Sequence, residues 1–192
     1  MILWFRNDLR THDNPALHHF MNTSCLGESG TSPRKAFFFI SEQQWQSHDW
    51  SAIKIDFVKR HAKALVKELA TLDIDLELVY VPDFSSQITF LKEYCLRHNI
   101  HSVFANSELE FNERQRDLSC IADGIPLMLF EADVIVPKGK VLNQSGTMFK
   151  VFTPFKKAWL KHIKQFGFEY LGKVAYSTSN DVVLKAELEN TA

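Results

Sequence analysis

Short, continuously apolar runs alternate along this chain with longer segments whose apolar residues recur every three or four positions. Ile2-Leu3-Trp4-Phe5 and Ala36-Phe37-Phe38-Phe39-Ile40 predict strands buried on both faces, and Ile74 to Val81, Ser102 to Ala105 and Ile125 to Phe130 predict three more. Asn14 before Pro15 predicts a helix start, because proline's missing N–H would be unpaired in the first turn anyway. From about Ser51 to Leu72, Ile55, Val58, Ala62, Leu65, Leu69 and Leu72 form one stripe, while Lys54, Lys59, Lys63 and Lys67 fall on other faces. Asp83 or Ser85 opens a helix through Ile88, Leu91, Cys95 and Leu96, and a further helix runs from about Glu110 to Ala122. Strands separated by helices predict an α/β fold: a five-stranded parallel sheet with helices on both faces.

Beyond Phe130 the alternation stops. Residues 131–150, with Pro137, Gly139 and Gly146, read as a surface loop, as do residues 22–35. Thr153-Pro154 then caps a helix carrying Phe155, Trp159, Ile163 and Phe166 beside Lys156, Lys157, Lys161 and Lys164. The tail from Val174 to Ala192 has no period and reads as a linker or frayed end. This divides the chain into an α/β domain over 1–131 and a loop, amphipathic helix and C-terminal linker extension over 132–192. Ligands of parallel sheets bind beyond the carboxyl ends of the strands, which directs attention to Phe5–Asp13, Ile40–Trp50, Val81–Ser86 and Asn106–Glu113.

Composition narrows the choices. The 192 residues carry 22 Lys+Arg against 23 Asp+Glu, a net charge of −1, so no global field attracts nucleic acid or an acidic membrane. Cys25, Cys95 and Cys120 have no metal-ligand spacing, and an odd count points to a reducing cytoplasm. Arg6 interrupts the N-terminal apolar run too early for a secretory signal, and no membrane-spanning run follows. None of the seven glycines forms a phosphate-binding fingerprint after a strand, and no HExxH or nucleophile elbow occurs.

Each candidate segment has a structural reading beside its functional one. Arg6-Asn7-Asp8-Leu9-Arg10 reads as an ion-paired corner with Asp8 held between the two arginines, or as a polar ligand lining. His12, His18 and His19 suggest metal only superficially, since adjacent histidines on a helix face different ways. Trp45 to Trp50 (WQSHDW) is either a surface loop or an aromatic wall beside the His48 imidazole, suited to a flat ligand. Asn112 and Glu113 together could grip the amide-like edge of a heterocycle such as a pterin; the alternative is a helix N-terminus with Glu110 and Arg114 paired at i, i+4.

Three blocks carry a family likeness. WFRNDLRTHDNPAL (Trp4–Leu17), FNERQRD (Phe111–Asp117) and FKVFTPFKKAW (Phe149–Trp159) resemble, in order and spacing, the landmarks of the photolyase/cryptochrome family. The NER and VFTPF details are most similar to bacterial class I cyclobutane pyrimidine dimer photolyases. The resemblance implies a Rossmann-like antenna domain whose pigment passes excitation to FAD in a helical domain, where an electron from reduced flavin opens the dimer in damaged DNA. That FAD- and DNA-binding domain is expected outside these residues, leaving this fragment inactive alone and exposing an apolar face around Phe152, Phe155, Trp159 and Phe166 that favours self-association. Folate-using members place a His after strand two and an Asn-Glu pair after strand four against the pterin, positions matched here by His48, Asn112 and Glu113, with Trp45 as the adjoining ring. Deazaflavin-using relatives carry a Gly-containing sequence at the NER position, so the resemblance favours methenyltetrahydrofolate. A signalling cryptochrome and a stand-alone interaction module are the competing functions.

Overall fold

Residues 1–24 and 34–174 are described by the computed structural model, so Cys25, most of the predicted 22–35 loop and the tail after Val174 lie outside the described residues. Five strands form one parallel sheet: β1 (Ile2–Phe5), β2 (Arg34–Ile40), β3 (Ile74–Tyr80), β4 (Val103–Asn106) and β5 (Leu127–Phe130). Their order is β3-β2-β1-β4-β5, with Ile2 opposite both Lys35 and Val103. The chain thus winds one way from β1 to β3 and then returns past β1 to β4, which puts the topological switch between β1 and β4.

Helices cover both faces. Helices α1 (Pro15–Ser24) and α3 (Ala52–Ala70) bury Leu17, Phe20, Leu65 and Leu69 against Leu3, Phe5, Phe38 and Phe104. On the other face α4 (Phe84–Arg97) and α5 (Phe111–Ala122) set Leu91, Cys95 and Cys120 against Ile2, Trp4, Phe37 and Val103. A side chain buried as completely as Leu69 or Leu91 contributes about 1.5–3 kcal/mol. Side-chain caps form at three helix starts, though not at Thr153, which lies inside its helix: the Leu17 N–H donates to Asn14 Oδ1 at 3.1 Å, that of Lys54 to Ser51 Oγ at 3.2 Å, and that of Ser86 to Asp83 Oδ1 at 2.8 Å.

Burial differs between the strands. β1 and β4 are buried throughout, but β3 alternates, with Ile74 and Leu76 inside and Asp75 and Glu77 outside, because it lies at the sheet edge. Lys35 on β2 pairs with both Asp75 (2.9 Å) and Glu77 (2.6 Å) along that edge. β5 forms the opposite edge, carries no charge, and leaves Met128 and Leu129 partly exposed.

One helix was not predicted. Glu42–Ser47 forms α2, part of the segment read from the sequence as a surface loop or aromatic wall. The last helix, α6 (Phe152–Phe166), begins one residue before Thr153, so Pro154 lies within the first turn, where its missing N–H has no intrahelical partner to lose. No residue of α6 is buried; Phe152 and Phe166 are 71% and 67% exposed, whereas Phe155 and Trp159 are half-buried. After α6 the chain returns to the first loop: the Asp13 N–H donates to the Gly172 carbonyl at 2.7 Å, and His12 bridges Lys173. Among the described residues no helix is long and apolar enough to cross a membrane.

Candidate functional site

Beyond the carboxyl ends of the strands, α2 turns back toward the sheet. Its Gln44 N–H donates to the Pro82 carbonyl (3.0 Å), fastening it to the loop after β3. The helix closes at His48, and Asp49 adopts a left-handed conformation (φ 57°), which acidic side chains tolerate better than most. This reversal lets the Trp50 N–H donate to the Trp45 carbonyl (3.0 Å) and stacks the two indoles at 5.1 Å with 10° between planes. Trp45 also leans on Phe38 of β2, so the aromatic wall is anchored to the core.

His48 faces α5 across the carboxyl end of the sheet. Its Nε2 lies 2.9 Å from Gln44 Nε2 and 3.5 Å from Asn112 Nδ2. Two adjoining hollows open here. The outer one, about 310 Å³, is lined by His48, Phe84, Ile88, Asn112, Gln115 and Arg116. The inner one is a narrow cleft of about 50 Å³ running from Trp45, Trp50 and Glu113 toward Arg6 and Gln87. Gln44, His48, Phe84 and Arg116 line both. The structure therefore brings His48 and Asn112 into contact and sets Glu113 and Trp45 on the neighbouring cleft, with Asn112 exposed and the other three half-buried.

Beneath the clefts lies a buried charge network that local spacing did not disclose. Arg6 Nη1 donates to Asp117 Oδ2 (2.8 Å) and to the Asn106 carbonyl (3.0 Å). Arg116 Nη2 donates to Glu108 Oε2 (2.7 Å) and Asp117 Oδ1 (3.1 Å), and Asn7 Nδ2 donates to Glu108 Oε1 (2.8 Å). Both guanidiniums lie over the Trp4 ring, at 4.1 Å for Arg6 and 4.6 Å for Arg116. Asp8 is not held between Arg6 and Arg10 as the sequence suggested. It accepts from the Arg6 N–H (2.7 Å) and from the Asn106 and Asn14 side chains, while Arg10 donates to the Asp13 carbonyl. Likewise Glu110 meets Arg114 through its backbone carbonyl, and the ion pairs of this helix belong to Arg116 and Asp117.

Burial governs the electrostatics here. It pushes the Glu108 carboxyl above its ordinary range, and Arg116 and Arg6 only partly offset that. Burial, then the neighbouring Arg116 charge, lower the Arg6 guanidinium. Arg116 is raised: burial works against its charge, but Glu108 and Asp117 together outweigh it. The signal in the sequence was the placement of Arg116 and Asp117 on the same core-facing side of α5 as Cys120, where a solvated charge would not sit.

Among the described residues no group of His, Cys, Asp and Glu is arranged to hold a metal ion. A hollow of about 500 Å³ lies instead between residues 131–137 and the end of α6, away from the strand ends that carry His48 and Asn112.

Comparison with known proteins agrees with the fold. The sequence pattern described as DNA photolyase matches residues 1–172. A deoxyribodipyrimidine photo-lyase of Salmonella typhimurium is 36% identical over 167 residues, covering 85% of this chain and 34% of the relative. Among solved structures, a Synechocystis cryptochrome is similar with a TM-score of 0.71 at 15% identity, covering 93% of this chain and 38% of its own. An archaeal photolyase from Sulfolobus tokodaii, solved with two FAD molecules, gives 0.62 at 14% identity, covering 94% and 38%. The chain spans about a third of the length of the curated relatives it matches. With the family pattern running from the first strand to the segment that returns to it after α6, this chain belongs to the DNA photolyase family.

Proposed function

We propose that residues 1–131 form the light-harvesting domain of a DNA photolyase and bind a methenyltetrahydrofolate antenna. The observation that carries this reading is the convergence of His48, after β2, and Asn112, after β4, on the outer hollow, with Nε2 and Nδ2 3.5 Å apart. At about 310 Å³ the hollow lies at the lower end of the size that ligand sites occupy, enough for the ring end of a folate. Asn112 offers a donor and an acceptor to the pterin, Glu113 accepts from its amino edge, and the Trp45 indole closes the inner side. The remainder of the folate lies toward a helical FAD domain, supplied by the longer protein and seated against the exposed rings of residues 132–174. That domain performs the light-driven opening of cyclobutane pyrimidine dimers in DNA, in the cytoplasm. Its photo-lyase relatives support repair over cryptochrome-type signalling.

Titration with 5,10-methenyltetrahydrofolate should give a shifted near-ultraviolet band, and Glu113→Ala should weaken binding at least about tenfold, the loss expected for a charge-assisted hydrogen bond. Unchanged binding by that variant would remove Glu113 from the site.

A further inference from the structure

Charge is segregated along this chain. Between Val134 and Phe168 stand seven lysines and neither an Asp nor a Glu, whereas the whole chain carries a net −1, so the rest is net acidic. Lys138, Lys140 and Lys150 lie in the loop before α6. Lys156, Lys157, Lys161 and Lys164 lie on the helix itself, and all seven side chains are exposed. Among the described residues the ion-paired lysines are Lys35, Lys59, Lys92 and Lys173, none of them in this stretch. Helix α3 treats its cations differently: Arg60 meets Asp56 one turn away at 2.8 Å, and Lys59 reaches Glu42 at 2.6 Å. On α6 Lys157 and Lys161, at i, i+4, repel each other with no acid in the helix to offset them. The negative end of the helix accounts for Lys164 alone.

The lysines share one side. On a helical wheel the four on α6 fall within an arc of about 140°, while Phe155, Trp159 and Ile163 fall on the other side and are half-buried. The exposed Phe152 and Phe166 belong to that second side, so a domain seated on the rings leaves the lysines open. Pro137 lines a hollow together with His162 and Phe166, so Lys138 emerges beside the end of α6. From Lys156 to Lys164 the row is about 12 Å long, with no ring or arginine on it to anchor a protein interface. A lipid surface would take up the ring side, which the protein already half covers. A duplex presents one negative charge per about 1.7 Å of its axis, so phosphates outnumber the lysines and register is not critical. We propose that the lysine side of α6, continued by Lys138, Lys140 and Lys150, binds the phosphate backbone of duplex nucleic acid without regard to sequence or lesion. This surface shares no residue with the two hollows at the strand ends and does not depend on the folate reading.

The test titrates the full 192-residue chain, in the dark, against an undamaged fluorescein-labelled DNA duplex and reads anisotropy. Four phosphate contacts give log K a slope of about −3 to −4 against log salt, so affinity should fall about a hundredfold between about 50 and 200 mM salt. Lys157→Gln with Lys161→Gln should reduce the slope by about two and weaken binding at the lower salt at least about tenfold, equally for duplexes of different sequence. Lys63→Gln with Lys67→Gln removes the same charge from exposed positions of α3 and should leave slope and affinity near wild type. Equal losses from the two pairs would mean that net charge alone is felt, and would overturn the surface. Salt-independent binding, or none, would overturn it too. Tighter binding to vesicles of equal phosphatidylserine and phosphatidylcholine than to the duplex, abolished by Phe152→Ser, would overturn it in favour of a membrane. Titration of the same variants with 5,10-methenyltetrahydrofolate should match wild type, so either reading can fail without the other.

Discussion

Replacing Asp117 with alanine tests the network under the candidate site most directly. The carboxylate is 6% exposed and accepts from Arg6 Nη1 at 2.8 Å and from Arg116 Nη2 and Nε at 3.1 and 3.2 Å. Its loss leaves two buried guanidiniums short of a counter-charge, and breaking a buried pair in this way costs about 3–5 kcal/mol. Arg116 retains Glu108 at 2.7 Å and Arg6 retains the Asn106 carbonyl at 3.0 Å, which places the expected loss near the lower end, about 3 kcal/mol. With a urea slope of about 2 kcal/mol/M, the unfolding midpoint should fall by about 1.5 M, followed by tryptophan fluorescence and far-ultraviolet circular dichroism. Asp75→Ala is the comparison, because Asp75 is 54% exposed and shares Lys35 with Glu77; it should cost less than about 1 kcal/mol. If the two variants lose the same stability, the buried network does not hold α5 to β1, and the account of the site floor is wrong.

Two further outcomes follow from burial. Glu108 has a raised carboxyl, so the folded state holds its proton more tightly than the unfolded chain; its contribution is fully present below the ordinary value of 4.5 and is lost as pH rises through the raised folded value. Glu108→Gln should therefore flatten the decline in stability over that window, and parallel urea midpoints of the two proteins across it would contradict the assignment. Cys120 is pushed up to about 11 by burial, chiefly desolvation, so at about pH 8 it should resist iodoacetamide in the native protein and react in urea, as read by peptide mapping.

Much of the architecture could be read from local pattern because each large element has a period long enough to register. The stripe from Ile55 to Leu72 fixed α3, and Asn14-Pro15 fixed the start of α1. Helix α2 escaped because six residues with none buried leave no stripe to detect. The alternation of Asp75 and Glu77 with Ile74 and Leu76 already marks one exposed face in β3's own residues, whereas its place at the edge depends on strand order. The positions of His48, Asn112 and Glu113 after their strands were legible, but the partnership of Arg6 with Asp117 spans 111 residues and exists only once α5 packs on the sheet. Gln87 was hidden for a similar reason: a glutamine near the start of an amphipathic helix looks solvated until its amide meets Ser41 from another strand's end.

The two borders of the sheet are not equivalent. One carries carboxylates at alternate positions and a lysine clamped across them, a surface that repels an incoming backbone ladder. The other, Leu-Met-Leu-Phe, carries only uncharged side chains, two of them exposed, with nothing ionised on the strand to discourage pairing. Growth of the sheet, whether by a neighbouring segment or by misassembly during folding, is therefore biased toward β5, and Met128→Lys would put a first charge on that border.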